Sequence, residues 1–181
     1  SPCPCWLSID FSRCNRSSVT VSAWGEEEIF SERVAVQDYQ ESEIYEKTVP
    51  KGYVNTSVIT GEREMKRSGA RLIIPMGHDA DSIYAHASTV ECFGEFAQDT
   101  AVLHKQFARV FMSVEIPQGH EYPYSFRACS DVCGMDMRDL SPVEGEFSID
   151  IKLDEDNICM FCLPRQKENG GNLKLLIYED E

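Results

Sequence analysis

The sequence predicts an all-β protein built as two small β-sandwiches in tandem, the first over residues 1–104 and the second over 105–181. Three observations carry that expectation. Apolar residues recur at every second position in segment after segment, the period of a strand with one buried face, and no stretch demands the period of a helix. Turn-forming residues punctuate these segments, leaving about eight strands ahead of His104 and five or six behind it, each group the size of a small sandwich. The C-terminal stretch, residues 145–181, reads as a meander of three antiparallel strands, which is not stable unless a second sheet covers its apolar face.

In order, Ser1-Pro-Cys-Pro-Cys5 is too proline-rich for regular structure and reads as an extended lead-in. Residues 6–11 alternate Trp6, Ser8 and Asp10 against Leu7, Ile9 and Phe11, a first strand whose second set belongs in the core. Residues 19–24 repeat the pattern. Gly25 and three glutamates then make a polar turn, after which Phe30, Val34 and Val36 form an i, i+2 set broken only by Glu32. Tyr39, Ile44 and Tyr45 fit neither period, so 37–46 is expected to be a loop or a poorly amphipathic strand. Residues 48–59 are β-rich about a Pro50-Lys51-Gly52 turn, and 61–69, with five charges in nine residues, should be an exposed connection.

Leu72-Ile73-Ile74 is a short strand of buried type, followed by a turn over 76–81. Residues 82–92 alternate again, Ile83, Ala85, Ala87 and Thr89 opposing Tyr84, His86, Ser88 and Val90, whereas 98–103 is a weaker run. Residues 105–116 read as one long strand with a purely apolar face of Ala108, Val110, Met112, Val114 and Ile116. A turn over 117–122, a short strand over 124–128 and an irregular stretch over 129–138 precede the C-terminal stretch. There, Phe147, Ile149, Ile151 and Leu153 mark one face of the first strand, and Asp154 through Asn157 supply a turn. Residues 158–163 are nearly all apolar, as a central strand buried on both sides would be. Pro164 ends that ladder, Asn169-Gly170-Gly171 allow a second reversal, and Leu173, Leu175 and Ile177 resume the alternation.

Composition narrows the function. Lys and Arg number 17 against 31 Asp and Glu, and the net charge of −14 argues against nucleic acid or an anionic lipid surface as partner. No apolar run approaches the roughly 18 residues that span a bilayer. A start at Ser1 without Met or a charged-then-apolar leader is expected of a trimmed or processed chain, with any export signal removed. The eight cysteines form an even, irregular set compatible with an oxidising compartment or with separate buried thiols.

No chemistry-bearing constellation stands out. Cys159 and Cys162 have the spacing of a redox pair, but residues three apart in a strand point to opposite faces and no helix N-terminus lowers a thiol pKa. Cys129 and Cys133 are the candidates for a local disulfide, and Cys3 and Cys5 complete no metal set. His78, Asp79 and Asp81 lie on a turn without a third ligand, and Asp154, Asp156 and Asn157 read the same way. His86, His104 and His120 have no evident partner. Asn15-Arg16-Ser17 and Asn55-Thr56-Ser57 match the glycosylation acceptor pattern by composition. Phosphate loop, nucleophile elbow and zinc helix motifs are missing, and no cofactor is expected.

Three stretches together resemble the fimbrillin superfamily of Bacteroidales, the subunits of type V pili, and in particular its anchor and accessory branch. They are the N-terminal Ser1-Pro-Cys-Pro-Cys-Trp-Leu-Ser-Ile-Asp-Phe11, the strand over 103–114, and the ending from Gly145 through Gln166 to Leu173-Lys-Leu-Leu-Ile-Tyr178. The resemblance implies two transthyretin-like Greek-key β-sandwich domains. It implies a lipoprotein held at the cell outer membrane by a lipid upstream of Ser1, with other pilus subunits and a host or bacterial adhesion target as partners. Polymerising members lose a first strand to an arginine-directed protease and are completed by a neighbour's strand, while anchor members keep theirs. On that pattern Trp6, Leu7, Ile9 and Phe11 form the assembly strand, and Arg13 and Arg16 the protease-sensitive loop. The implied role is pilus assembly and adhesion without catalysis. The runner-up is a stand-alone surface sandwich that binds glycan or protein, with Trp24 or tyrosines stacking on a sugar.

Overall fold

The alternating segments become strands, and among the described residues no α-helix forms. A computed structural model describes residues 3–119, 124–169 and 171–179; the first two residues of the lead-in, part of the 117–122 turn with His120, and Gly170 of the second reversal lie outside it. The strands are β1 (Cys5–Asp10), β2 (Ser18–Trp24), β3 (Glu28–Ala35), β4 (Tyr45–Val49), β5 (Gly52–Thr60), β6 (Lys66–Ser68), β7 (Arg71–Ile73) and β8 (Tyr84–Cys92). They continue with β9 (Phe96–Thr100), β10 (His104–Lys105), β11 (Phe107–Ser113), β12 (Tyr124–Asp136), β13 (Pro142–Ile151), β14 (Ile158–Pro164) and β15 (Lys174–Glu179). A 3-10 turn, Val36–Tyr39, occupies the first part of the aperiodic segment and β4 begins at its end, on Tyr45.

The chain gathers into two compact units that are not contiguous halves. Unit 1 is Ser1–Glu62, Ile83–Gln106 and Asp136–Ser141, and unit 2 is Arg63–Ser82, Phe107–Met135 and Pro142–Glu181. A cut after His104 drawn on sequence anticipates contiguous pieces; Arg63–Ser82, ahead of that point, groups with unit 2. The long strand expected over 105–116 is interrupted at Gln106, whose N–H donates to the Ile83 carbonyl at 2.9 Å. On either side of it β10 pairs with β8 and β11 with β14.

Unit 1 is a sandwich of a three-stranded sheet, β4-β1-β9, and a five-stranded sheet, β10-β8-β5-β2-β3. Leu7, Ile9 and Phe11 are buried as their spacing requires, and they join Val19, Val21, Val54 and Val58 of the facing sheet in the core. Glu32, which breaks the apolar set of β3, has a reason to be there: it accepts a hydrogen bond from the Tyr45 hydroxyl at 2.5 Å and pairs with Lys47 at 3.0 Å. β8 departs from expectation. Ala85 is buried, but farther along Val90 and Cys92 are buried instead of Thr89, so both parities contribute at different ends of one strand. Strand period reports which side chains share a face, not which face each end of a strand covers.

In unit 2, β12 is the organising strand. It pairs with β13 along one side, and with β15 over Tyr124–Cys129 on the other, where the same sheet continues through β7 and β6. The irregularity foreseen over 129–138 is a pair of register shifts around Val132 within one continuous strand. Two expectations are overturned. The charged segment 61–69 is not all connection: it holds β6, which forms a hairpin with β7. Asp81 draws the chain into place there, accepting the backbone N–H groups of Arg63, Glu64 and Met65 at 2.8, 3.1 and 2.9 Å.

The second correction is the C-terminal meander. β13 and β15 both pair with β12, and β14 pairs with β11, so none of the three pairs with another. Alternation specifies a face but carries no address for the neighbouring strand. The Asp154 turn therefore links sheets; its Oδ1 accepts from the N–H groups of Asp156 and Ile158, and Asn157 takes a φ of 61°. β14 is accordingly not a central strand, and Met160 on it is 62% exposed.

Candidate assembly surface

The first strand is held from both sides. β1 pairs antiparallel with β4 from Cys5 to Ile9, and parallel with β9 from Trp6 to Asp10. Leu7 and Ile9, with Phe11 just after the strand, point into the core, and Trp6 points out, 41% exposed, beside Phe96 on the neighbouring strand. The chain then turns sharply: the Cys14 N–H donates to the Phe11 carbonyl at 3.0 Å, and the Gln40 amide donates to the Cys14 carbonyl at 2.9 Å. Arg13 is exposed on this turn, whereas the Arg16 guanidinium lies over the Tyr84 ring, 4.0 Å from its centre. The structure thus keeps the six residues together, four in or beside a paired strand and two on the loop that follows.

Unit 2 has the more accessible surface. Its broad sheet offers Phe126, Ala128, Phe147, Ile149 and Ile151 to the core, all buried. The register pairs Leu175 with Ala128 and Ile177 with Phe126, placing both on that same inward face, yet they are 50% and 60% exposed. The cause is a mismatch in width: the facing sheet consists of β11 and β14 alone among the described residues. The gap is a groove of about 370 Å³ lined by Val110–Ser113, Ala128, Phe161, Leu163 and Leu173–Leu175. Its walls are apolar, and β11 runs along one margin. Sequence alternation marked Leu173, Leu175 and Ile177 as core-facing, and nothing in it signalled that their cover was missing.

The polar candidates take structural roles. Asp79 accepts the Cys162 N–H at 2.7 Å, and Asp81 is committed to the backbone of β6's approach. Burial raises the Cys159 thiol pKa, the opposite of what a redox nucleophile needs. Cys129 and Cys133 sit in one extended strand, where four residues span about 13 Å, twice the Cα separation a disulfide tolerates, so the pair as placed closes no local bridge. His86 does have a partner that sequence inspection missed: its Nε2 lies 3.0 Å from Asp99 Oδ2, which also accepts the Thr56 hydroxyl at 2.6 Å. Burial raises the Asp99 pKa, and the His86 and Thr56 hydrogen bonds outweigh it, leaving the carboxyl below its ordinary range. The hydroxyl bonds the carboxylate and not the imidazole, so the trio braces the core and activates no nucleophile.

Trp24 is 4% exposed and unavailable to a ligand. A different aromatic pair is open to solvent: Tyr53 and Phe93, 62% and 57% exposed, meet edge to face with ring centres 5.1 Å apart. Tyr53 also lines a shallow cavity formed by Gly25–Ile29 and Pro50–Asn55.

Neither a protein-family model nor a curated protein sequence matches the chain. Solved structures do. A candidate polysaccharide-binding protein from Bacteroides thetaiotaomicron superposes with a TM-score of 0.64 at 12% identity, over 97% of this chain and 76% of that one. The chain shares its fold. A candidate adhesin from Bacteroides ovatus gives 0.63 at 10% identity, over 98% and 72% of the two chains. The fimbrial anchor protein Mfa2 from Porphyromonas gingivalis gives 0.60 at 13% identity, over 98% and 78%. Each match takes in nearly all of this chain, through both units, and about three quarters of the other.

Proposed function

We propose that this chain is an anchor or accessory subunit of a bacterial cell-surface fimbrium, acting in pilus assembly and adhesion through β-strand complementation. The observation that carries the reading is the inward face of β15, uncovered among the described residues, opposite a sheet that is two strands wide among them. A strand from another pilus subunit, added beside β11, gains main-chain hydrogen bonds along the edge and seats alternate side chains on Leu173, Leu175 and Ile177. β1, paired on both sides, stays with its own unit, as in an anchor. The fold held in common with a fimbrial anchor protein supports the assignment, as does the soft sequence resemblance at both ends of the chain. In this reading the protein is exported, and a lipid upstream of Ser1 fixes it to the outer membrane.

Fimbriae sheared from cells and the protein extracted with and without detergent test the proposal. Wild-type chain is expected in ladders of higher assemblies. Leu175→Asp forfeits the apolar contact and buries a carboxylate under the incoming strand, a loss of about 2 kcal/mol or roughly thirtyfold in affinity. Incorporation of a folded Leu175→Asp chain at the wild-type level would overturn the groove as the docking site. The second reading, a sandwich that binds glycan, draws on Tyr53 and Phe93 and on the named role of the Bacteroides thetaiotaomicron neighbour. It predicts a polysaccharide affinity lost in Tyr53→Ala and indifferent to Leu175→Asp.

A further inference from the structure

Two of the eight cysteines share a site that the rest of the molecule does not explain. Cys5 opens β1 opposite Val49, and Cys92 closes β8 opposite Gly52, one in each sheet of unit 1. Both are 0% exposed and belong to a single apolar cluster with Leu7, Ala23, Val49, Val54 and Val90. Both stand as free thiols, and burial together with the neighbouring Cys5 thiol pushes the Cys92 pKa up to about 12. Among the other sulfurs, Cys14 packs in the other core cluster, Cys129 faces the Ser148 hydroxyl at 3.7 Å, and Cys162 faces that of Ser82 at 3.9 Å. Cys3 is exposed.

We propose that Cys5 and Cys92 are joined as an intrachain disulfide that staples the first strand to the opposite sheet. A buried thiol with a raised pKa is a poor nucleophile, so the bond forms before the core closes. The thiolate of one cysteine attacks the disulfide of a dithiol oxidant, forming a mixed disulfide and releasing one oxidant thiolate. The second cysteine's thiolate then attacks the mixed disulfide and releases the other. The cysteine pair loses two electrons and two protons, and the oxidant gains both as its two thiols. The closed ring runs from Cys5 to Cys92 and contains the loop with Arg13 and Arg16. A cut at either arginine then leaves β1 covalently attached, which is how an anchor would keep a first strand under the protease that strips it from polymerising subunits. That consequence rests on the fimbrial reading; the bond does not.

The test uses the full chain secreted into an oxidising compartment and, separately, refolded in a glutathione redox buffer. Each sample is denatured without reductant, alkylated at acidic pH, digested and mapped by mass spectrometry. A peptide pair linking Cys5 to Cys92 is expected, abolished by reductant and by Cys5→Ser or Cys92→Ser, and retained in Cys3→Ser. Alkylation of both Cys5 and Cys92 as free thiols in both samples, or a bond from Cys92 to Cys3, overturns the proposal. Cleavage of the folded protein at Arg13 by an arginine-specific protease should leave its mass intact in denaturant except for added water, with the N-terminal peptide released only on reduction. Release of that peptide without reductant overturns the tether. Both readouts are made on isolated protein, so they stand apart from the outcome in fimbriae.

Discussion

Asp99 gathers the polar groups that the core of unit 1 could not leave unpaired. Thr56, wholly buried, donates to it at 2.6 Å, and His86 reaches the same oxygen. The burial that raises its pKa loses to the hydrogen bonds from His86 and Thr56 that lower it, so the folded carboxyl titrates below the unfolded one. A depressed carboxyl contributes stability that is fully present above the ordinary pKa of about 3.9 and is lost as pH falls through the folded value. Asp99→Asn is therefore expected to lower Tm at pH 7, by the equivalent of about 1–3 kcal/mol, and to show a shallower decline in Tm than wild type below about pH 4. Thermal melts across that range check it; parallel curves would remove Asp99 from the account. Proximity in sequence did not advertise the trio, because its members come from β5, β8 and β9 and meet only after the sheets face each other.

At the level of strands, the sequence spoke clearly about faces and hardly at all about neighbours. Leu7, Ile9, Phe11, Phe147, Ile149 and Ile151 are buried where the two-residue period put them. The same period offered no means of knowing that β13 and β15 flank β12, that β14 leaves for the other sheet, or that a charged hairpin would join unit 2. The groove was invisible for that reason: an apolar face with and without a cover is written identically. One glycine did encode a neighbour. A Cβ on Gly134 would collide with the Leu72 carbonyl oxygen, where β12 runs close against β7 and the Ile74 N–H donates to the Cys133 carbonyl at 2.8 Å. Gly134→Ala should force those strands apart and cost roughly 1–3 kcal/mol in urea unfolding, whereas Gly171→Ala, with open space around it, should cost much less.

For the molecule as a whole, charge opposes contact between copies at the apolar groove. At −14 and a pI near 4.7, copies repel one another at neutral pH and the grooves stay apart. Sedimentation velocity is expected to show a monomer at pH 7 in about 0.01 M salt, where the screening length is about 30 Å. Self-association should rise as pH approaches 4.7, less so in Leu175→Asp. Equal association of the two proteins would mean the groove is not the contact.

The parallel pairing of β1 with β9 also dictates a timetable. Unit 1 cannot close until Thr100 has emerged from the ribosome, and the β6–β7 hairpin must wait for β12 before its own sheet exists. Neither unit can finish while the polypeptide is still short, so acquisition of the native state is delayed and dominated by distant encounters. Such a chain stays pliable until most of it has been made, which is what threading through a membrane would require of it under the fimbrial reading.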